Sequence, residues 1–71
     1  MIPFAERLKE ARNQKGLKQR EVAAHLQMPT HSYQNYEIGE RRPNFETLAA
    51  LATYLDVTTD YLLGLTDTPK P

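Results

Sequence analysis

The polar side chains best placed to recognise another molecule lie in one short segment of the sequence. They are Thr30, His31, Gln34 and Asn35, which share one face if the segment is a helix. An amide carries a donor and an acceptor side by side, so it can bond two atoms of one base edge. The same face could equally be an ordinary solvated helix surface. The segment alone does not separate these two interpretations.

No arrangement in the sequence is typical of an enzyme. There is no cysteine, which excludes disulfides and thiolate metal sites. His25 and His31 lack the i, i+4 spacing of a helical metal pair. Neither a nucleophile–base set, a carboxylate pair nor a phosphate-binding loop emerges. We therefore expect a protein that is not an enzyme and that needs no metal or cofactor.

The length and the charge pattern narrow the possible class of protein further. The 71 residues suffice for one small domain, and no apolar run approaches the roughly 20 residues needed to cross a bilayer. We expect a soluble, cytoplasmic chain. The net charge is zero, but residues 1–42 hold eight Lys/Arg against five Asp/Glu, whereas residues 43–71 hold one against four. This asymmetry permits one basic side to face phosphate, although lopsided surfaces also arise by chance.

Hydrophobic periodicity predicts an all-α chain of five short helices. The first begins near Pro3 with an apolar stripe and ends before Gly16. The second begins at Gln19, where Lys18 holds the capping position without a side-chain acceptor. Pro29 enforces a break, and a third helix follows over about 30–38. The helix-turn-helix that results would present the polar face described above.

The second half of the chain predicts two further helices. Asn44 is the expected cap of the fourth, whose stripe is formed by Leu48, Leu51, Ala52 and Leu55, with Phe45 expected in the same core. Thr58 is the expected cap of the fifth, and Gly64 ends it. Residues 66–71 contain proline and little to bury, so we interpret them as a tail or the start of a linker.

Two opposite charges fall on inward-facing stripes. Arg12 lies on the stripe of the first helix and Glu37 on that of the third. A charged residue is unexpected on either of these apolar stripes, so we predict that Arg12 and Glu37 pair with each other. Tyr33 and Tyr36 share the inward stripe of the third helix, and we expect them to pack in the core.

The ordered set of residues resembles the Cro/repressor-type, or XRE, family of helix-turn-helix regulators. The matching positions run from about residue 4 to 65: Leu17, Gln19, Val22, Ala23, Leu26, Tyr36, Glu37, Gly39, Pro43, Leu48, Leu51, Ala52, Leu55, Leu62, Leu63 and Gly64. The resemblance implies a DNA-binding domain over residues 1–65, with the helix-turn-helix at about 19–38. It also implies a third helix in the major groove and no enzymatic activity.

Functional roles follow from the resemblance position by position. The bases would be contacted by Thr30, His31, Gln34 and Asn35. The backbone of DNA would be contacted by Lys18, Gln19, Arg41 and Arg42, with a base contact as the alternative for Gln19. For Lys18 a frayed helix start, and for the arginines simple solubilising charge, are the alternatives. Arg12 and Glu37 correspond to a buried ion pair in some members, whereas Gln27 stands where the turn commonly has glycine.

Assembly and partners are further expectations. Tyr61, Leu63 and Leu65 either close the core or form an apolar patch that a second copy covers. The resulting hypothesis is a homodimeric, nucleoid-associated repressor of a pseudo-palindromic operator. The alternatives are an antitoxin, which would also bind a toxin, and a protein-interaction module that has lost DNA binding. An antirepressor is another conceivable protein partner.

Overall fold

Five helices form the regular structure of residues 3–70, which are the residues described by the computed structural model. They are α1 Phe4–Gln14, α2 Gln19–His25, α3 Thr30–Glu37, α4 Phe45–Leu55 and α5 Thr59–Leu62. Within these residues there is no strand, and the predicted all-α fold of five short helices is confirmed. None of the helices in this part of the chain is long and apolar enough to cross a membrane.

Side-chain caps determine where the last two helices begin. The Asn44 carboxamide oxygen accepts a hydrogen bond from the Thr47 N–H at 2.8 Å. The Thr58 hydroxyl accepts one from the Tyr61 N–H at 3.1 Å. Each bond satisfies a helix N–H that has no partner within its own helix. Both predicted caps are confirmed.

The turn between α2 and α3 depends on an uncommon backbone conformation. Gln27 has φ 58°, in the left-handed region that a side chain disfavours by roughly 1–2 kcal/mol. The Met28 N–H bonds the Ala23 carbonyl at 3.0 Å, which closes the end of α2. Pro29 then starts α3 from an extended conformation, with φ −61° and ψ 147°. The turn therefore fixes the angle at which α3 leaves α2.

The core holds α3 against the rest of the chain. Its largest fully buried side chains are Tyr33, Leu8, Leu51, Leu55, Leu62 and Val22. Tyr33 comes from α3 and is 0% exposed, and its ring meets that of Tyr36 edge to face, with centroids 6.3 Å apart. One face of α3 is thus committed to packing, which leaves the other for recognition.

The predicted core position of Phe45 is wrong. Its side chain is 81% exposed, whereas Leu48 is half-buried and Leu51 fully buried. Phe45 is the first residue of α4, one turn before the part of this helix that the core covers. Helical spacing alone continues the stripe back to Phe45, because it does not register where the neighbouring helices end.

The segment after α5 buries little, as predicted, yet it contacts the helices at several points. The Thr58 N–H bonds the Pro69 carbonyl at 2.9 Å, and Lys70 pairs with Asp56 at 2.7 Å. Asp67 accepts a hydrogen bond from Arg7 at 2.6 Å. Residues 66–70 therefore fold back onto the helices, held mainly by polar contacts.

Tyr61 belongs to the interior rather than to an exposed patch. Only 3% of this residue is exposed, and the Arg7 guanidinium lies 4.3 Å from the centre of its ring. Its hydroxyl donates to the Glu10 carboxylate at 3.1 Å. Of the two alternatives predicted for Tyr61, closing the core is the one that the structure bears out, because its surface joins α5 to α1. Leu63 and Leu65, in contrast, are 42% and 68% exposed.

Candidate nucleic-acid interface

The outward face of α3 carries the polar residues that the sequence singled out. His31 and Gln34 are exposed, while Thr30 and Asn35 are half-buried. The opposite side of the helix holds Tyr33 and Glu37, both buried. A helix anchored in this way presents its polar side chains from a fixed backbone, which is a requirement for reading the edges of bases.

An ion pair joins α1 to the end of α3. The Arg12 Nε lies 2.6 Å from the Glu37 Oε2, and a second guanidinium nitrogen lies 3.1 Å from Oε1. The remaining terminal nitrogen donates to the Leu17 carbonyl at 2.8 Å. The two side chains are only 11% and 2% exposed. This bidentate geometry compensates both buried charges and fixes the position of α3 relative to α1.

A chain of hydrogen bonds runs from this ion pair to the exposed face. The Gln19 amide nitrogen donates to the Glu37 Oε1 at 3.1 Å. The Gln34 amide nitrogen in turn donates to the Gln19 carbonyl oxygen at 3.1 Å. An ionised carboxylate only accepts hydrogen bonds, so the Glu37 carboxylate must face the amide nitrogen of Gln19 rather than its oxygen. The amide oxygen of Gln19 then faces the amide nitrogen of Gln34. Gln34 consequently keeps its carbonyl oxygen and one N–H for a ligand.

The ionised form of Glu37 is favoured where it lies. Burial acts to raise the pKa of the Glu37 carboxyl, but the hydrogen bonds it accepts, above all from Arg12, outweigh burial and lower the pKa below 4.5. Burial also raises the pKa of the Tyr33 phenol far above its usual value, so this ring stays neutral beside the ion pair. The hydroxyl of Tyr33 is buried and finds no hydrogen-bond partner in the described part of the chain.

This lowered pKa predicts a loss of stability in acid. Because the unfolded chain binds the proton first, the contribution of Glu37 is fully present above pH 4.5 and decreases as the pH falls below it, until it is lost below the folded-state pKa. We expect the difference in the free energy of unfolding between the wild type and Glu37→Gln to shrink over that window. Urea unfolding at a series of pH values measures it, with Glu40→Gln as an exposed control. A constant difference down to pH 3 would contradict the prediction.

The loop after α3 is joined to this helix through Asn35. The Asn35 carbonyl accepts hydrogen bonds from the Glu40 and Arg41 N–H groups, at 3.0 and 3.2 Å. Gly39, with φ 84°, allows the chain to turn back in this way. Arg41 and Arg42 are exposed and carry the positive charge of the loop. The loop geometry therefore depends on the helix that precedes it.

The start of α2 contributes a second group of polar residues. Lys18 is exposed, and its backbone N–H donates to the Glu21 carboxylate at 2.8 Å, which is the acidic half of a capping box. Gln19 is half-buried because its amide lies between Glu37 and Gln34. The prediction from the sequence assigned Gln19 to a contact with DNA and missed this link to Glu37 and Gln34.

The buried position of Arg7 was not predicted from the sequence. It is 4% exposed, under the ring of Tyr61 and bonded to Asp67. A signal was available, since Arg7 stands three residues after Phe4 and four before Ala11, on the inward stripe of α1. Its partner lies sixty positions away, in a segment expected to bury little.

A family model described as helix-turn-helix matches residues 8–62 of the chain, which include all of α2 to α5. The chain belongs to the helix-turn-helix family. The matched residues include the ion pair, the amide chain and the loop described above. The turn at Gln27 and α3 both lie within the matched residues.

Curated relatives carry names of the same kind. The HTH-type transcriptional regulator ImmR of Bacillus subtilis (strain 168) is 42% identical over 69 residues, which are 97% of this chain and 54% of that protein. The uncharacterized HTH-type transcriptional regulator YqaE of the same organism is 43% identical over 60 residues, 84% of this chain and 52% of that protein. This helix-turn-helix chain thus spans about half the length of these relatives.

A solved structure has the same fold. The crystal structure of a transcriptional regulator from Listeria innocua matches with a TM-score of 0.79 and 37% sequence identity. The match covers 89% of this chain and 61% of that one. The fold is therefore shared with a transcriptional regulator of known structure.

Proposed function

We propose that this chain is the DNA-binding part of a transcriptional regulator and that α3 reads base edges in the major groove. The observation that carries the proposal is the amide chain from Glu37 through Gln19 to Gln34, which orients an exposed glutamine on a rigid helix. An ordinary solvated surface does not require its amide side chains to be oriented in this way. Family membership and the names of the relatives support the same conclusion.

The proposal divides the polar residues into two groups. Gln34 keeps one donor and one acceptor, a pair that matches the N7 and N6 atoms of adenine. Asn35, Thr30 and His31 contact bases or phosphates next to it. Lys18, Arg41 and Arg42 contact the DNA backbone, which supplies affinity rather than sequence choice. In this arrangement Gln19 supports Gln34 and also has one N–H left for a phosphate.

A second copy of the chain completes the proposed binding unit. Leu65 is an exposed apolar residue after α5, and burying it against a second copy would give a homodimer. A dimer with two-fold symmetry places two α3 helices about one DNA turn apart. We propose a pseudo-palindromic operator and repression by occupancy, acting in the cytoplasm at the nucleoid.

Selection of bound sequences from a random duplex pool tests the function most directly. We expect enrichment of one motif with two related half-sites and an adenine at the position read by Gln34. Enrichment without symmetry would refute the homodimer while leaving base reading intact. Equal recovery of all duplexes would refute sequence-specific binding.

The arginine loop predicts a uniform loss of affinity. Arg42→Ala should weaken binding to all duplexes similarly, because phosphates are the same in every sequence. The slope of log K against log salt, about −5 to −7 for a dimer with six to eight phosphate contacts, should become less steep by about 1 for each copy bound.

Fluorescence anisotropy over a range of salt concentrations measures both effects. Lys9→Ala, which removes an exposed charge from α1, is the matched control. A loss of affinity confined to one preferred sequence would assign Arg42 to base reading and contradict the division of roles.

A further inference from the structure

A groove between α1, the end of α3 and α4 has no part in the proposed reading of bases. Its volume is about 460 Å³. Apolar side chains provide most of its lining: Phe4, Ala5, Tyr36, Pro43, Leu48 and Leu63. We call this feature the α1 groove. DNA offers phosphates and sugars at its surface, and these do not account for an apolar depression of this size.

The charged residues that line the α1 groove are all basic. Arg41 and Arg42 also line it, and both are exposed. None of the described residues that line it is acidic. An occupant that fits both properties has a large apolar side chain to fill the depression and carboxylates to pair with the two guanidinium groups.

We propose that the α1 groove binds an acidic segment of a partner protein through a large apolar anchor residue. The anchor packs among Phe4, Tyr36 and Leu48, and carboxylates beside it pair with Arg41 and Arg42. The positive rim selects against basic segments, whereas the apolar lining selects against purely polar ones. Together the two features define the chemistry of the partner.

Binding at this groove opposes binding to DNA. This step rests on the proposed function, in which Arg41 and Arg42 contact phosphates. A segment that occupies both arginines removes them from the DNA backbone, so the partner and the operator compete. The partner thereby releases the regulator from its site and acts as an antirepressor.

Selection from a random dodecapeptide library tests the groove against segments of every composition. The groove is filled by Ala5→Met, which suits a helix and leaves the arginines in place. Ala49→Met, at an exposed position of α4, is the matched control. We expect enriched peptides to combine Leu, Phe or Tyr with Asp or Glu. Their affinity should fall by about tenfold or more for Ala5→Met and remain unchanged for Ala49→Met.

Three results would overturn the proposal. The first is enrichment of peptides without acidic residues, and the second is equal affinity for wild type and Ala5→Met. The third is a shift of the monomer–dimer equilibrium by Ala5→Met with no effect on peptide binding, since it would make the groove an interface between two copies. Analytical ultracentrifugation distinguishes this third case.

A competition experiment separates this proposal from the function proposed above. A selected peptide should displace a labelled operator duplex from the wild type, and Arg41→Gln/Arg42→Gln should weaken the binding of both ligands. If Ala5→Met folded poorly, this double variant would still test the groove, because unchanged peptide affinity would refute it. Peptide binding without any DNA binding would refute the proposed function and leave the groove intact, whereas peptide and duplex bound together would refute the competition.

Discussion

Replacing Arg12 with alanine is expected to lower the free energy of unfolding by about 3–5 kcal/mol. The change leaves the Glu37 carboxylate, whose side chain is 2% exposed, without its bidentate partner. It also leaves the Leu17 carbonyl without the guanidinium hydrogen bond. A chain of this length has a total stability of roughly 4–10 kcal/mol, so the expected loss is about a third of the total or more.

Urea unfolding followed by circular dichroism measures the loss. The control is Arg20→Ala on the exposed side of α2, which should change stability by no more than about 0.5 kcal/mol. Arg12→Met/Glu37→Met removes both charges and should recover part of the loss, because no buried charge is left unpaired. A loss below about 1 kcal/mol for Arg12→Ala would mean that the pair behaves like an exposed one.

Gln34→Ala is expected to have the largest effect on sequence choice. Losing a bidentate contact to one base costs about 1–3 kcal/mol of discrimination, or roughly 5- to 150-fold in affinity for the preferred operator. Operators already altered at that base pair should be bound almost as before. Fluorescence anisotropy with the selected duplex and its single-base variants measures the difference. Asn13→Ala, which removes an exposed amide from α1, is the matched control.

The hydrogen bond between Gln19 and Gln34 provides a second test of the role of Gln34. Gln19 accepts the hydrogen bond that orients Gln34, so Gln19→Ala should lose part of the same discrimination. The double variant should lose less than the sum of the two single losses, because each removes the same arrangement. Strictly additive losses would show that Gln34 reads its base without help from Gln19.

Local signals in the sequence were sufficient for the helices and for the pairing of Arg12 with Glu37. Asn44 and Thr58 act within a single turn, and the spacing of apolar residues locates the inward stripe. Both kinds of information are local. The two charges were conspicuous because each interrupted such a stripe, and the structure places them 2.6 Å apart.

The remaining features depend on contacts between distant parts of the chain. Phe45 satisfies the spacing of α4, yet it lies beyond the end of the core and is 81% exposed. Arg7 is buried because Tyr61 and Asp67 reach it from the other end of the sequence. The link from Gln19 to Gln34 likewise requires the angle between α2 and α3. Helical periodicity carries no information on which elements meet, so these contacts needed the folded structure.

The backbone of Gln27 has a consequence for how this sequence can drift over evolutionary time. Glycine at this position would adopt the left-handed conformation without strain, which favours the folded state. It would also increase the conformational entropy of the unfolded chain, which favours the unfolded state, so the two effects oppose each other. Asparagine tolerates the same conformation more readily than most residues. Substitution among glutamine, asparagine and glycine should therefore be nearly neutral for folding and leave the angle of α3 unchanged. Valine or isoleucine, which resist this backbone most, should be removed by selection because they would strain the turn that leads into α3.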